Sequence, residues 1–238
     1  MRTVFALLLV VGLGNSGFSQ VEVNRLTNIV QSVSTGSAGY GSGFKGTYSV
    51  KSSIKGDPYL DTAFRMSRFR LYKSTGLIET PSRYDVLNNE LEIRTTRGVM
   101  VLASRLVEKF TLLRSRKDTA VFVNSADYKY YDTQLVGFLQ LLCDGKIQLL
   151  KQTRAEIVKP SYNPSLEVGD RDSHIVKKET LFYSLNGGEI SKLKGKSEIL
   201  ALFGDKKDLI KSFVSSNKLG FKSELDISKI FAYYNSLQ

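Results

Sequence analysis

The chain has one cysteine, one histidine, four prolines and no tryptophan. Each scarcity removes a possibility. A lone thiol, Cys143, cannot close an internal disulfide, so the fold depends on its core in any redox compartment. One cysteine and one histidine, His174, also cannot supply the usual ligand set of a zinc site. Low proline and a charged fraction of 24% argue against extensive disorder. Without tryptophan, the large apolar area falls to 13 Phe and 12 Tyr. The uninterrupted apolar run from Val4 to Val11 is well short of the roughly 20 residues a spanning helix needs.

That short run has a specific setting. Arg2 precedes it, and Gly12, Gly14, Ser16, Gly17 and Ser19 come after it. This is the layout of a secretory signal peptide, with cleavage expected after Ser19. The expected location is exported, periplasmic or peripheral to the outer membrane. No transmembrane segment is expected once the leader is removed.

Positive charge is plentiful, with 34 Lys and Arg against 23 Asp and Glu, a formal net charge of +11. In the cytosol such an excess points first to nucleic acid, through counterion release from phosphate. Export replaces that expectation with lipid headgroups, acidic glycans or an acidic protein face, and no nucleic acid.

The sequence divides into a signal peptide (1–19), a short helix with a Gly/Ser-rich linker (20–46), a β-rich domain (47–193) and a C-terminal helical segment (194–238). Leu26, Ile29, Val30 and Val33 recur at helical spacing. Gly41, Gly43 and Gly46 match the G-x-G-x-x-G spacing of a dinucleotide loop. The next residues, Thr47 to Ile54, are β-branched and alternating, so no helix N-terminus stands ready for a phosphate. The glycines read as a tether. No cofactor is expected.

From Gly56 onward short strands dominate. Phe69 and Leu71 alternate with Arg68, Arg70 and Tyr72, and Leu91 and Ile93 with Glu90, Glu92 and Arg94. Tyr84, Val86 and Leu87 lead into the turn-forming Asn88-Asn89. Val99–Leu102, Val107–Leu113 and Ala120–Val123 continue the series. Phe138 to Leu150 reads as a hairpin on a two-residue type I′ turn at Asp144-Gly145. Ser161 to Ser173 reads as an exposed loop, and a second hairpin closes at Asn186-Gly187-Gly188. Three short amphipathic helices end the chain. The first carries Ile199, Leu200 and Phe203. The second is capped by Asp205, carries Leu209, Ile210, Phe213 and Val214, and ends near Gly220. The third is capped by Ser223 and carries Leu225, Ile227, Ile230, Phe231 and Tyr234. Strands followed by helices predict an α+β fold: a largely antiparallel β domain, sandwich or partly open barrel, with a C-terminal cap of helices packed on its open side or edge.

The runs Gly56 to Asp61, Arg83 to Ile93, Phe203 to Phe213 and Tyr233 to Leu237 resemble those of uncharacterised exported proteins of Bacteroidetes-type bacteria. The resemblance covers most of the chain from about Gly56. It implies an envelope location and no known activity, and it transfers no functional residue.

Candidate chemistry is sparse. His174 lies beside Asp170 and Asp172, but no G-x-S-x-G elbow presents a serine. Asp170 and Asp172 could contribute to a hard-cation site, though the twelve-residue calcium loop pattern is absent. Glu90 and Glu92 share a strand face, as a glycosidase pair would. The densest feature is basic: twelve Lys and Arg lie between Arg65 and Lys117, against five acids. Arg68, Arg70, Arg94 and Arg97 on one sheet face would grip phosphate or carboxylate. The expected function is therefore a non-enzymatic envelope protein that binds an anionic surface or a protein partner. The alternative is an exported hydrolase using carboxylates or the Asp170 to His174 loop.

Overall fold

The computed structural model describes residues 54–237, apart from 75, 96–97, 116–117, 132 and 164. The leader, the 26–33 helix and the glycine tether lie outside the described residues, as does all but the last residue of the strand expected over 47–54.

Eleven strands form one sheet: β1 (Ile54–Lys55), β2 (Arg65–Leu71), β3 (Leu77–Asp85), β4 (Glu90–Thr95), β5 (Gly98–Ala103), β6 (Val107–Leu113), β7 (Thr119–Asn124), β8 (Phe138–Cys143), β9 (Ile147–Val158), β10 (Ser173–Leu185) and β11 (Ile190–Lys192). Their order is β1-β10-β9-β8-β7-β6-β2-β3-β4-β5, with β11 also on β10. All pairings are antiparallel except that of β1 with β10. Helices α1 (Lys196–Leu202), α2 (Lys207–Ser216) and α3 (Glu224–Ser236) complete the chain. This is the expected α+β architecture, and the sheet does not close into a barrel.

The sheet is strongly curled. In the strand order β5 and β6 stand four places apart, roughly 19 Å across a flat sheet. Only Ser104, Arg105 and Leu106 join them, and that connection reaches about 14 Å. The curl wraps a phenyl core. Phe110 on β6 stacks on Phe69 at 5.8 Å and Phe122 at 4.7 Å, and meets Phe138 edge-on at 4.9 Å. Tyr84 packs against Phe110 and Phe138, while its hydroxyl donates to Asn89 Oδ1 and accepts the Phe138 N–H. Burial pushes that phenol's pKa up.

The same sheet face continues beneath the helices. Gln140 pairs with Lys151, so Phe138 on β8 and Leu149 on β9 point to one side. Ile147 and Leu149 are buried there with Ile199, Phe203, Ile210, Ile230 and Phe231. A bulge between Leu141 and Cys143 lets both Leu142 and Cys143 join this cluster. On the opposite face Leu139, Leu150 and Phe182 are covered by Leu135, Tyr128 and Tyr130, and by Ile190 of β11.

A strap from Ile54 to Leu60 crosses between distant strands. Ile54 and Lys55 pair with Ser173 and His174 on β10. Three residues on, Val86 N–H donates to Pro58 O and Leu60 N–H to Tyr84 O, both at 2.8 Å.

Several sequence expectations need correction. The β8–β9 connection is not a two-residue type I′ turn: Cys143 pairs with Leu149, and only Gly145 there has positive φ. Asp205 lies in a 3₁₀ turn and Lys206 occupies the N-cap of α2. Lys218, at φ 52, rather than Gly220, supplies the left-handed residue after α2. Leu209 and Leu225 are 54% and 63% exposed and do not belong to the apolar stripes. Ser223 does cap α3, its hydroxyl accepting the Asp226 N–H. The 161–173 loop is itself folded back, with Asn163 N–H donating to Val168 O and Ser161 N–H to Asp170 O.

Candidate functional site

Strand alternation decides which side chains leave the core. With Phe69 and Leu71 buried, Arg68 and Arg70 of β2 must point outward, and Arg94 of β4 does the same beside buried Ile93. These three share the convex face. Arg97 immediately precedes β5 and lies outside the described residues.

Their electrostatic settings differ. Arg68 is opposite Glu79 on β3 and hydrogen-bonds it, while Arg70 lies 3.8 Å from Glu108. Both pairs are partly exposed, where an ion pair contributes only about 0–1 kcal/mol, yet each lowers the net charge offered to a ligand. Arg94 has no carboxylate partner among the described residues. Its guanidinium lies 4.2 Å from the centre of the Phe64 ring. Arg83 sits 4.6 Å from that ring and 3.7 Å from the ring of Tyr59. The result is a ladder of Tyr59, Arg83, Phe64 and Arg94, in which each guanidinium carbon lies over an aromatic ring.

The inner rung is tightly bonded. Arg83 pairs with Glu92 at 2.7 Å, and the Tyr59 hydroxyl donates to Glu92 and accepts from Arg83. Burial, then the bond to Glu92, pushes the Tyr59 phenol up to about 12. Glu92 is thus occupied and does not act with Glu90 as a free carboxylate pair. The Arg94 carbonyl is fixed too. Pro81, facing it on β3, has no N–H to give, and the Thr80 hydroxyl donates to that carbonyl at 2.9 Å instead.

Next to this face is a cavity of about 270 Å³ lined by Glu108, Lys109, Asp127, Tyr128, Gln148 and the backbone of Gly187 and Gly188. Tyr72 donates to Asp127 at 2.8 Å, and Tyr128 to Gln148 at 3.2 Å. Burial, aided by Asp127, pushes the Tyr72 phenol up. The volume is just under the roughly 300–1,000 Å³ typical of ligand pockets. Its walls come from strands and turns far apart in sequence, with no motif to announce them.

The other candidates are held in local contacts. His174 Nε2 is 2.6 Å from Asp170, and no serine, threonine or cysteine side chain hydrogen-bonds the imidazole among the described residues. Asp170 is held below the usual carboxylate range, chiefly by the Asp172 N–H and also by His174. Asp172 pairs with Lys55, so neither aspartate is reserved for a cation. Among the described residues, no cluster of three or more His, Cys, Asp or Glu could hold a metal. Burial pushes the Cys143 thiol up, away from the reactive thiolate. No helix among the described residues is long and apolar enough to cross a membrane. No family model, curated protein or solved structure matches the chain.

Proposed function

We propose that this is a non-enzymatic exported protein, periplasmic or peripheral to the outer membrane, that binds an anionic surface or partner through the arginine-bearing convex face. The observation that carries the reading is the setting of Arg94: exposed, seated over the Phe64 ring, and without a carboxylate partner among the described residues. A guanidinium fixed in this way spends little side-chain entropy on meeting phosphate or carboxylate. Arg97 adds charge next to it in sequence. Arg68 and Arg70, already answered by Glu79 and Glu108, contribute less.

The test is co-sedimentation with vesicles of acidic phospholipid, and retention on an immobilised acidic glycan, at low and at physiological salt. Binding that weakens as salt rises supports the reading, as does a larger loss for Arg94→Gln with Arg97→Gln than for Arg68→Gln with Arg70→Gln. Equal binding to neutral vesicles, or indifference to the Arg94 and Arg97 pair, overturns it. Fractionation of cells bearing a C-terminally tagged chain tests export, with cleavage expected after Ser19.

A further inference from the structure

We propose that the free edge of β5 is a docking site for an extended segment of a partner protein, added as a further strand, with an apolar centre and carboxylates at both ends. The proposal deepens the anionic-partner reading above, and rests on it, by naming the partner's chemistry.

The edge is set by the register. Thr95 pairs with Gly98 next to the chain reversal, so Gly98, Met100 and Leu102 turn their backbone groups to β4. Val99, Val101 and Ala103 therefore direct their N–H and C=O groups away from it. Val99 and Val101 make no hydrogen bond on the free side and β5 has β4 as its sole strand neighbour among the described residues, while the Ala103 carbonyl is turned into the 3₁₀ turn Ser104–Leu106 as its N-cap. Edge strands of this kind are usually blunted by charge, proline or a cover. Here the six residues Gly-Val-Met-Val-Leu-Ala carry no charge and no proline. Val99 is 46% exposed, and buried Met100 and Leu102 continue the apolar lining to the rim. An added strand would bond to the open backbone and extend that lining, as in β-augmentation.

The surrounding charge selects the occupant. Arg94, directly across from Val99, and exposed Arg105, just beyond Ala103, bracket the edge, and neither has a carboxylate partner among the described residues. Glu92, opposite Val101, is neutralised by Arg83. A second copy paired through its own β5 would set Arg94 of each chain near Arg105 of the other, a like-charge contact on both sides. A foreign strand with terminal carboxylates meets both arginines favourably. Glu90, across from Ala103, is the one opposing charge in this row.

The probe is a fluorescent peptide of roughly nine residues, alternating Thr and Val with Glu at both ends, long enough to span the edge. Anisotropy with the full chain should show saturable binding, and hydrogen exchange should slow at Val99, Val101 and Ala103. Met100 and Leu102, already bonded to β4, should change little. Methylating alternate peptide nitrogens should weaken binding about tenfold or more, because only the ligand's donors are lost. Val101→Pro removes an outward N–H and no bond to β4, and Val101→Lys blunts the edge; both should reduce binding with the thermal midpoint little changed. Glu90→Gln should strengthen it. Equal affinity for the methylated peptide, protection away from β5, or unchanged binding by both Val101 variants overturns the proposal. No peptide binding alongside retained binding to acidic vesicles overturns the strand site alone, whereas loss of both overturns the anionic reading as well.

Discussion

Single atoms set the convex face. Thr80 compensates for Pro81, and without its hydroxyl the Arg94 carbonyl would have no donor from β3. Thr80→Val, close in volume, is expected to cost about 1–3 kcal/mol, the usual penalty for an unpaired polar group, read as a lower urea midpoint. The same substitution should broaden the amide signals of Arg94 and Thr95. The alternation that buries Phe69 and exposes Arg68 and Arg70 was legible in the sequence, because period two leaves no other placement. Most of β3 was not. Proline disfavours a central strand by rule, and a side-chain repair is visible only in three dimensions. Nor did spacing reveal that Phe64 lies beneath Arg94, since the two come from separate segments.

The boundaries of whole elements show a similar divide. Three C-terminal helices were expected and three form, because their apolar residues repeat at about 3.6. Their caps differ, since a 3₁₀ turn at Gly204–Lys206 takes the place where Asp205 would have capped α2. The hold of α3 on the sheet is a side-chain matter. Asn235 accepts the Ile147 N–H at 3.0 Å and donates to the carbonyls of Ile147 at 2.9 Å and Asp144 at 3.1 Å. It thereby acts as a strand neighbour for the β8–β9 turn. Gly145 is required beneath it: its φ is +142, and a Cβ would come within 2.5 Å of the Asn235 amide. Asn235→Ala should lower stability by about 1–3 kcal/mol and speed exchange of the Ile147 amide, whereas Ser236→Ala, whose hydroxyl bonds only within α3, should do neither. The glycine was legible as a turn residue, but its second duty depends on a partner roughly ninety positions away.

Across the molecule, stability should respond to alkali in a specific direction. Tyr59 and Tyr84 have folded pKa values above the value near 10 of an unfolded tyrosine. Their contribution is complete below about pH 10 and is lost as pH rises through the folded values, about 12 for Tyr59. Urea midpoints should therefore fall steeply between pH 10 and 12, and Tyr59→Phe should flatten that decline. A steeper fall in the variant would contradict the assignment. Asp61, held low mainly by the Ala63 N–H, acts in the opposite range. Its contribution is present above about pH 4 and disappears as pH falls through its lowered folded value.

The strap joins β10 to β3 across more than half the described chain, which orders events during synthesis. The ribosome releases β2 to β7 first, and their phenylalanines can gather as they emerge. Ile54 and Lys55 must then wait for Ser173 and His174 to leave the exit tunnel before they have a partner. Until then the first residues of the strap are an unfastened clasp, and a nascent chain stalled before residue 173 should be cut by protease between residues 54 and 57, where the finished protein resists.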